Sequence, residues 1–251
     1  MKLVRDTWLI FSYETWMLVR NPANIAITLI QPVTYLILFS PFIKAVLHTP
    51  SYGDAYQIYV PSLFCAMGLF SGLFAGFALL AAMGQGVITR CRVTPLSRVA
   101  LLLGRVFMWM LLISFQAVVV ALGAFALGLR VPPGNVLFAL VLLSLMVVLG
   151  VSISYALALL VPNESVLPTL LNSIANPLSL LAGVLIPISV APLWVRNVAL
   201  WNPFAWGTRG MRAIFQGQFG TPVVWQASVI LAGVAVVAVV LSSRLFSREI
   251  A

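Results

Sequence analysis

The side chains able to do covalent or acid–base chemistry are few: one histidine, His48; two cysteines, Cys65 and Cys91; five carboxylates, Asp6, Glu14, Asp54, Glu164 and Glu249; and two lysines. Catalysis needs nucleophile, base or metal ligands converging on one point. His48 falls in a short connecting segment as an ordinary interfacial residue, and Cys65 in an apolar block is far from Cys91 in a basic one. Neither cysteine has the close His or Cys neighbours of a metal site, so no metal, no disulfide and no catalytic site is assigned. A G-x-x-x-x-G-K-[ST] phosphate loop is also absent from the chain, which therefore cannot hydrolyse ATP by itself. Proton- or sodium-coupled carriage usually rests on a carboxylate near the membrane midplane. These acids all lie toward the ends of apolar blocks or between them.

The elements that hold these residues are membrane helices. Of 251 residues, 62% are hydrophobic and 8% charged, where a soluble domain carries about a quarter charged. Uncharged stretches repeatedly exceed the roughly 20 residues that cross the hydrocarbon core. Charges and Pro/Asn/Gly clusters divide the chain into six spans: 24–45, 56–83, 101–129, 135–161, 166–187 and 223–243. The fold class is thus an all-α membrane protein, read as a single transmembrane domain over 1–251. The net charge of +9 is scattered between apolar blocks and forms no stripe for nucleic acid. It reads as topology. An even span count puts both termini on one side, and Lys2, Arg5, Arg20, Arg90, Arg92, Arg98, Arg105, Arg244 and Arg248 there outnumber Lys44, Arg130, Arg196, Arg209 and Arg212 opposite. That excess places both termini in the cytoplasm.

Residues 1–20 have helical periodicity, with Lys2, Arg5, Asp6, Ser12 and Arg20 on one side and Leu3, Val4, Trp8, Ile10, Phe11 and Leu18 on the other; Leu9, Glu14 and Trp16 break the pattern. Such a basic, Trp-bearing helix lies along the membrane surface. Asn21-Pro22 then caps and opens a new helix. Near the other end, 188–222 is too short in each part to span and too apolar for a free loop. Pro192 opens one short helix toward Leu200, and Asn202-Pro203 caps and opens a second toward Gln216, together a re-entrant extracellular hairpin before the last span. In the second, Phe204, Met211 and Phe215 share one face and Arg209, Arg212 and Gln216 another.

Two spans carry polar stripes: Asn24, Thr28, Gln31 and Tyr35 around Pro32, and Thr169, Asn172 or Ser173, Asn176, Ser179 and Gly183 around Pro177. Each needs a non-lipid neighbour. Helix-to-helix hydrogen bonding, about 0.6–2 kcal/mol per contact, is one reading; a path between subunits is the other, and the two are compatible. Gly68, Gly72 and Gly76 form a small-residue surface suited to packing against another helix of the chain. The last span is Val-, Ala- and Leu-rich and faces lipid.

The loop 84–98 is basic and breaks at Thr94-Pro95, which describes a short surface helix followed by a new helix start, a contact for another protein. Here the sequence becomes recognisable. The run from Gly86 to Arg98, Gly-Val-Ile-Thr-Arg-Cys-Arg-Val-Thr-Pro-Leu-Ser-Arg, resembles the first cytoplasmic loop of type-2 ABC transporter permeases, especially bacterial drug-export and nodulation-factor-export members. Ala182 to Pro187, Ala191 to Arg196, Asn202-Pro203-Phe204 and Arg209 to Arg212 resemble that family's segment after the fifth span. The resemblance implies a permease homodimer in the bacterial cytoplasmic (inner) membrane, working with two cytoplasmic ATPase subunits that use ATP and Mg, no cofactor being bound by this chain. It implies ATPase coupling through Gly86, Arg90, Arg92, Thr94, Pro95, Ser97 and Arg98 and through the N-terminal helix. The pathway would be lined by Thr28, Gln31, Tyr35, Thr169, Asn172 and Asn176, with an extracellular gate at Pro192, Trp194, Asn202, Pro203, Arg209 and Arg212. Thr89 stands where the family usually has Glu and Cys91 where it has an apolar residue, so the loop is purely basic and predicts an acidic partner cleft. The implied function is export of a hydrophobic or amphiphilic small molecule. Export of glycolipid, lipo-oligosaccharide or polysaccharide, or ATPase-independent secondary carriage, are the alternatives.

Overall fold

A computed structural model describes residues 2–47, 51–84, 98–161, 166–184, 188 and 191–249. All regular structure among the described residues is helical: α1 Lys2–Val19, α2 Pro22–Leu47, α3 Tyr52–Gly84, α4 Arg98–Ala126, α5 Pro133–Leu160, α6 Val166–Leu181, α7 Leu193–Ala199, α8 Pro203–Phe215 and α9 Pro222–Glu249. Helices are the elements this composition permits, because a backbone in hydrocarbon must satisfy its own hydrogen bonds.

Five helices, α2, α3, α4, α5 and α9, are long and apolar enough to cross a membrane. The expected fifth span is different. α6 has 16 residues, about 24 Å at 1.5 Å per residue, against a hydrocarbon core of about 30 Å. It stops early because Gly183 adopts a left-handed φ of 69°, so that the Gly183 N–H bonds the Leu180 carbonyl and the Val184 N–H that of Ser179. This is the glycine-capped helix end in which two otherwise orphaned carbonyls are satisfied.

The core is organised around α3 and α5. Where they cross, glycines let the two backbones meet: a Cβ added at Gly72 would stand 3.1 Å from the Gly150 Cα, and one at Gly68 would stand 3.0 Å from the Leu143 side chain. At the next turn the Gly76 N–H donates to Ser154 Oγ at 2.8 Å, and that hydroxyl donates to the Leu73 carbonyl. The small-residue surface of α3 is therefore an internal packing face. α2 packs on one flank of α3, with Phe39 stacked on Tyr59 at 5.9 Å, and α6 also contacts α3. The later half of α9 exposes Val236, Val237, Val240 and Leu241, in keeping with a lipid-facing span.

One end of the bundle gathers the first turns of α3, residues 127–135 and the region of α8. Gln57 Nε2 donates to the Arg130 carbonyl at 2.9 Å, and Asn135 Nδ2 to the Ile214 carbonyl at 2.7 Å. The opposite end holds α1, packed on the beginning of α4.

Candidate functional site: polar faces, two short helices and the α1–α4 contact

Thr28, Gln31 and Tyr35 on α2 and Thr169, Asn172 and Asn176 on α6 are all exposed in the single chain. Their hydrogen bonds stay local: Thr28 Oγ1 donates to the Ile25 carbonyl at 2.9 Å and Asn172 Nδ2 to the Pro168 carbonyl at 2.9 Å. Thus neither residue glues α2 or α6 to a neighbouring helix of the same chain. The inward faces are apolar or small, Leu36 on α2 and Leu167, Leu171 and Ala175 on α6. Both helices flank α3 and turn a polar row away from the bundle. In lipid an exposed row of amide and hydroxyl groups is costly; it is suited to a second subunit or to a hydrated path.

The two short helices begin where the sequence places their starts. Pro192 precedes α7, and Asn202 Oδ1 accepts from the Phe204 N–H at 3.0 Å while Pro203 opens α8. Asn202 Nδ2 also donates to the Leu178 carbonyl at 2.9 Å, tying the start of α8 to α6. Phe204, Met211, Ile214 and Phe215 are buried in the main core, so α8 is a packed element. Its close approaches are small-residue contacts again. A Cβ at Gly207 would stand 2.5 Å from Met146 Sδ on α5, and one at Gly210 would stand 2.8 Å from Ala227 Cβ on α9.

Arg209, Arg212 and Gln216 lie on the less buried side of α8, opposite the buried Phe204, Met211 and Phe215, but the Arg212 guanidinium does not stay on the surface. Arg212 turns inward, where its Nη2 donates to Ser62 Oγ on α3 and to the Gly183 carbonyl, both at 2.7 Å. Its Nε is buried without a hydrogen-bond partner. Desolvation lowers the guanidinium pKa, yet arginine starts high enough to stay charged at neutral pH. The reason for the turn is the carbonyl left at the glycine cap of α6, a stronger attraction than the helical wheel can register. Arg209 remains outside over the Trp206 ring at 5.4 Å. Beneath Arg212, Thr208 Oγ1 donates to the Phe204 carbonyl at 3.0 Å and lies against Cys65 Sγ at 2.8 Å, so the free thiol is a buried packing group. Trp194, placed at the expected gate, is 70% exposed on α7, and Trp201 is 90% exposed beside it.

At the opposite end, α1 departs from the two-sided pattern. Asp6 is buried together with Thr7 and Ile10, whereas Leu3, Val4 and Trp8 are exposed. Glu14, which breaks the periodicity, pairs with Arg105 at 3.0 Å, and Arg105 is buried where its sequence position reads as a topology charge. Sequence periodicity missed this inward stripe because it is polar; the out-of-pattern carboxylate was the available signal. The coupling residues Gly86, Arg90, Arg92, Thr94, Pro95 and Ser97 lie outside the described residues, and Arg98 opens α4.

Comparison with known proteins decides the family. The description "ABC-2 type transporter" matches residues 5–216, from α1 through α8. The chain belongs to the ABC-2 type transporter family. A protein of Porphyra purpurea named as a transport permease, ycf38, is 25% identical over 200 residues, 78% of this chain and 69% of that protein. As an ABC-2 permease it is a multi-pass membrane component of an ABC transporter, a family that works with an ABC ATPase. The matched region takes in the outward polar rows of α2 and α6, the short helices α7 and α8 and the α1–α4 contact, and leaves α9 beyond it.

Proposed function

We propose that this chain is the membrane-spanning half of an ATP-driven exporter, two copies of which enclose a path for a hydrophobic or amphiphilic small molecule. The polar rows of α2 and α6 carry this reading: they face away from their own bundle, and a second copy placed against them would turn them into the wall of a shared path. ATP hydrolysis belongs to a separate cytoplasmic ATPase pair that uses ATP and Mg; this chain contributes no carboxylate at a span centre and no phosphate loop. The ATPase would dock on the loop containing Arg90, Arg92 and Arg98, whose charge suits an acidic cleft. Binding and release of nucleotide would shift the two permeases through contacts that differ between the two states. Pro192, Trp194, Asn202, Pro203, Arg209 and Arg212 belong to the hairpin that closes the outer end. A small-molecule cargo fits the shortness of the outer loop expected from the sequence over 47–55, which offers no domain for a large glycan.

The test is reconstitution with the ATPase subunit that co-purifies. Nucleotide-dependent flux of an amphiphilic dye, lost when Arg90 or Arg92 is replaced by Glu while the permease remains inserted, supports the reading. Concentrative flux by the chain alone without nucleotide overturns it.

A further inference from the structure

The N-terminal helix α1 is joined to the bundle by an ion pair whose place in the chain has mechanical meaning. Arg105 Nε donates to Glu14 Oε1 at 3.0 Å, with the two side chains 9% and 23% exposed. The contact is not a lone charge pair. Gly104, one residue earlier, brings α4 so near that a Cβ would stand 2.8 Å from Ile10 Cβ and 3.1 Å from the Phe11 nitrogen. Ile10 and Glu14 are one turn apart on α1, so both contacts are made by a single stripe, which continues back to Asp6 and Thr7. An ion pair this far out of water is weakly screened by salt, and removing one partner leaves the other charge stranded.

Two connections of the chain meet at this contact. α4 begins at Arg98, at the end of the basic loop, and Arg105 sits two turns further on. α1 ends at Val19, turns at Arg20 and Asn21, and continues from Pro22 as α2, which carries Thr28, Gln31 and Tyr35. Helices transmit a displacement along their length, whereas α1 held only by lipid would slide in the interface. We propose that Glu14 and Arg105 are positioning residues that clamp α1 to the first turns of α4, so that movement of the loop 84–98 carries α1, and through the Asn21-Pro22 corner α2, as one body. The loop as the point of drive rests on the proposed function; the clamp itself rests on the geometry.

Glu14→Gln, Arg105→Gln and the exchange Glu14→Arg with Arg105→Glu separate this role from a passive staple. In the reconstituted permease–ATPase complex, each single change lowers cargo moved per ATP hydrolysed by about fivefold, the lower range of energetic coupling between sites. In the permease in lipid nanodiscs, each also speeds amide exchange across α1 by about tenfold. The exchange of charges restores at least part of both. Unchanged α1 exchange in the single variants overturns the clamp, as does a proportional fall of inserted protein, hydrolysis and flux that leaves cargo per ATP constant. If the unaltered complex shows no nucleotide-dependent flux, the proposed function fails, and the clamp is then decided by α1 exchange and its recovery in the double exchange.

Discussion

Asn202 does two jobs with one amide, and the two can be separated. Its Oδ1 caps α8 through Phe204, and its Nδ2 reaches the Leu178 carbonyl of α6. Asn202→Ala is expected to destabilise the protein by about 1–2 kcal/mol, the usual cost of a lost cap. Asn202→Ser keeps a capping oxygen without adding a charge and loses the α6 tie, so thermal unfolding in detergent should place it between Asn202→Ala and the unaltered protein. Arg212 is bound more tightly into the structure. Arg212→Met removes the donor to Ser62 and Gly183, and hydrogen bonds from charged groups contribute about 1.5–3 kcal/mol each. The expected result is a lower unfolding temperature and faster amide exchange at the end of α6. Arg209→Met, which loses only an outward ring contact, should leave both near the unaltered values.

Among the elements, the α3–α5 crossing sets the geometry to which the rest conforms. Gly72→Leu places a branched side chain where the Gly150 backbone already sits, and overpacking of this kind costs about 1–3 kcal/mol or more. Yield of folded, monodisperse protein should fall sharply, while Gly233→Ala, at a position with open space, should be silent. The polar rows call for the opposite behaviour. Gln31→Leu and Asn172→Leu alter exposed residues, so insertion and unfolding temperature should be preserved while flux of the amphiphilic dye changes. Loss of insertion in these variants would show that the rows serve folding and not passage.

For the whole molecule, the expectation to test is the orientation read from the charge balance and an even span count, both termini on the cytoplasmic side. Cysteines introduced next to Lys2 and Arg248 in a background lacking Cys65 and Cys91 should react with an impermeant maleimide only in inverted vesicles, and one introduced near Arg130 only in right-side-out ones. Labelling of Arg130 and Lys2 positions from the same side would refute the arrangement.

Much of this protein was written locally. Uncharged blocks of span length dictate helices because hydrocarbon offers the backbone no other partner; Asn21-Pro22 and Asn202-Pro203 mark helix starts because a side-chain acceptor and a preset φ act within a few residues. The glycine spacing of α3 declared a close-packing face, and the stripes on α2 and α6 declared a polar one. What lay beyond the sequence was each choice of partner. Whether glycines meet a neighbour or a second copy, why α6 stops at Leu181, and that Arg212 turns inward all depend on which carbonyl or backbone another helix presents at that level. Glu14 shows this most plainly. In the sequence it spoils an amphipathic pattern; in the fold it finds Arg105, because attraction between charges acts through space over a few ångströms and takes no account of the 91 positions by which the two are separated.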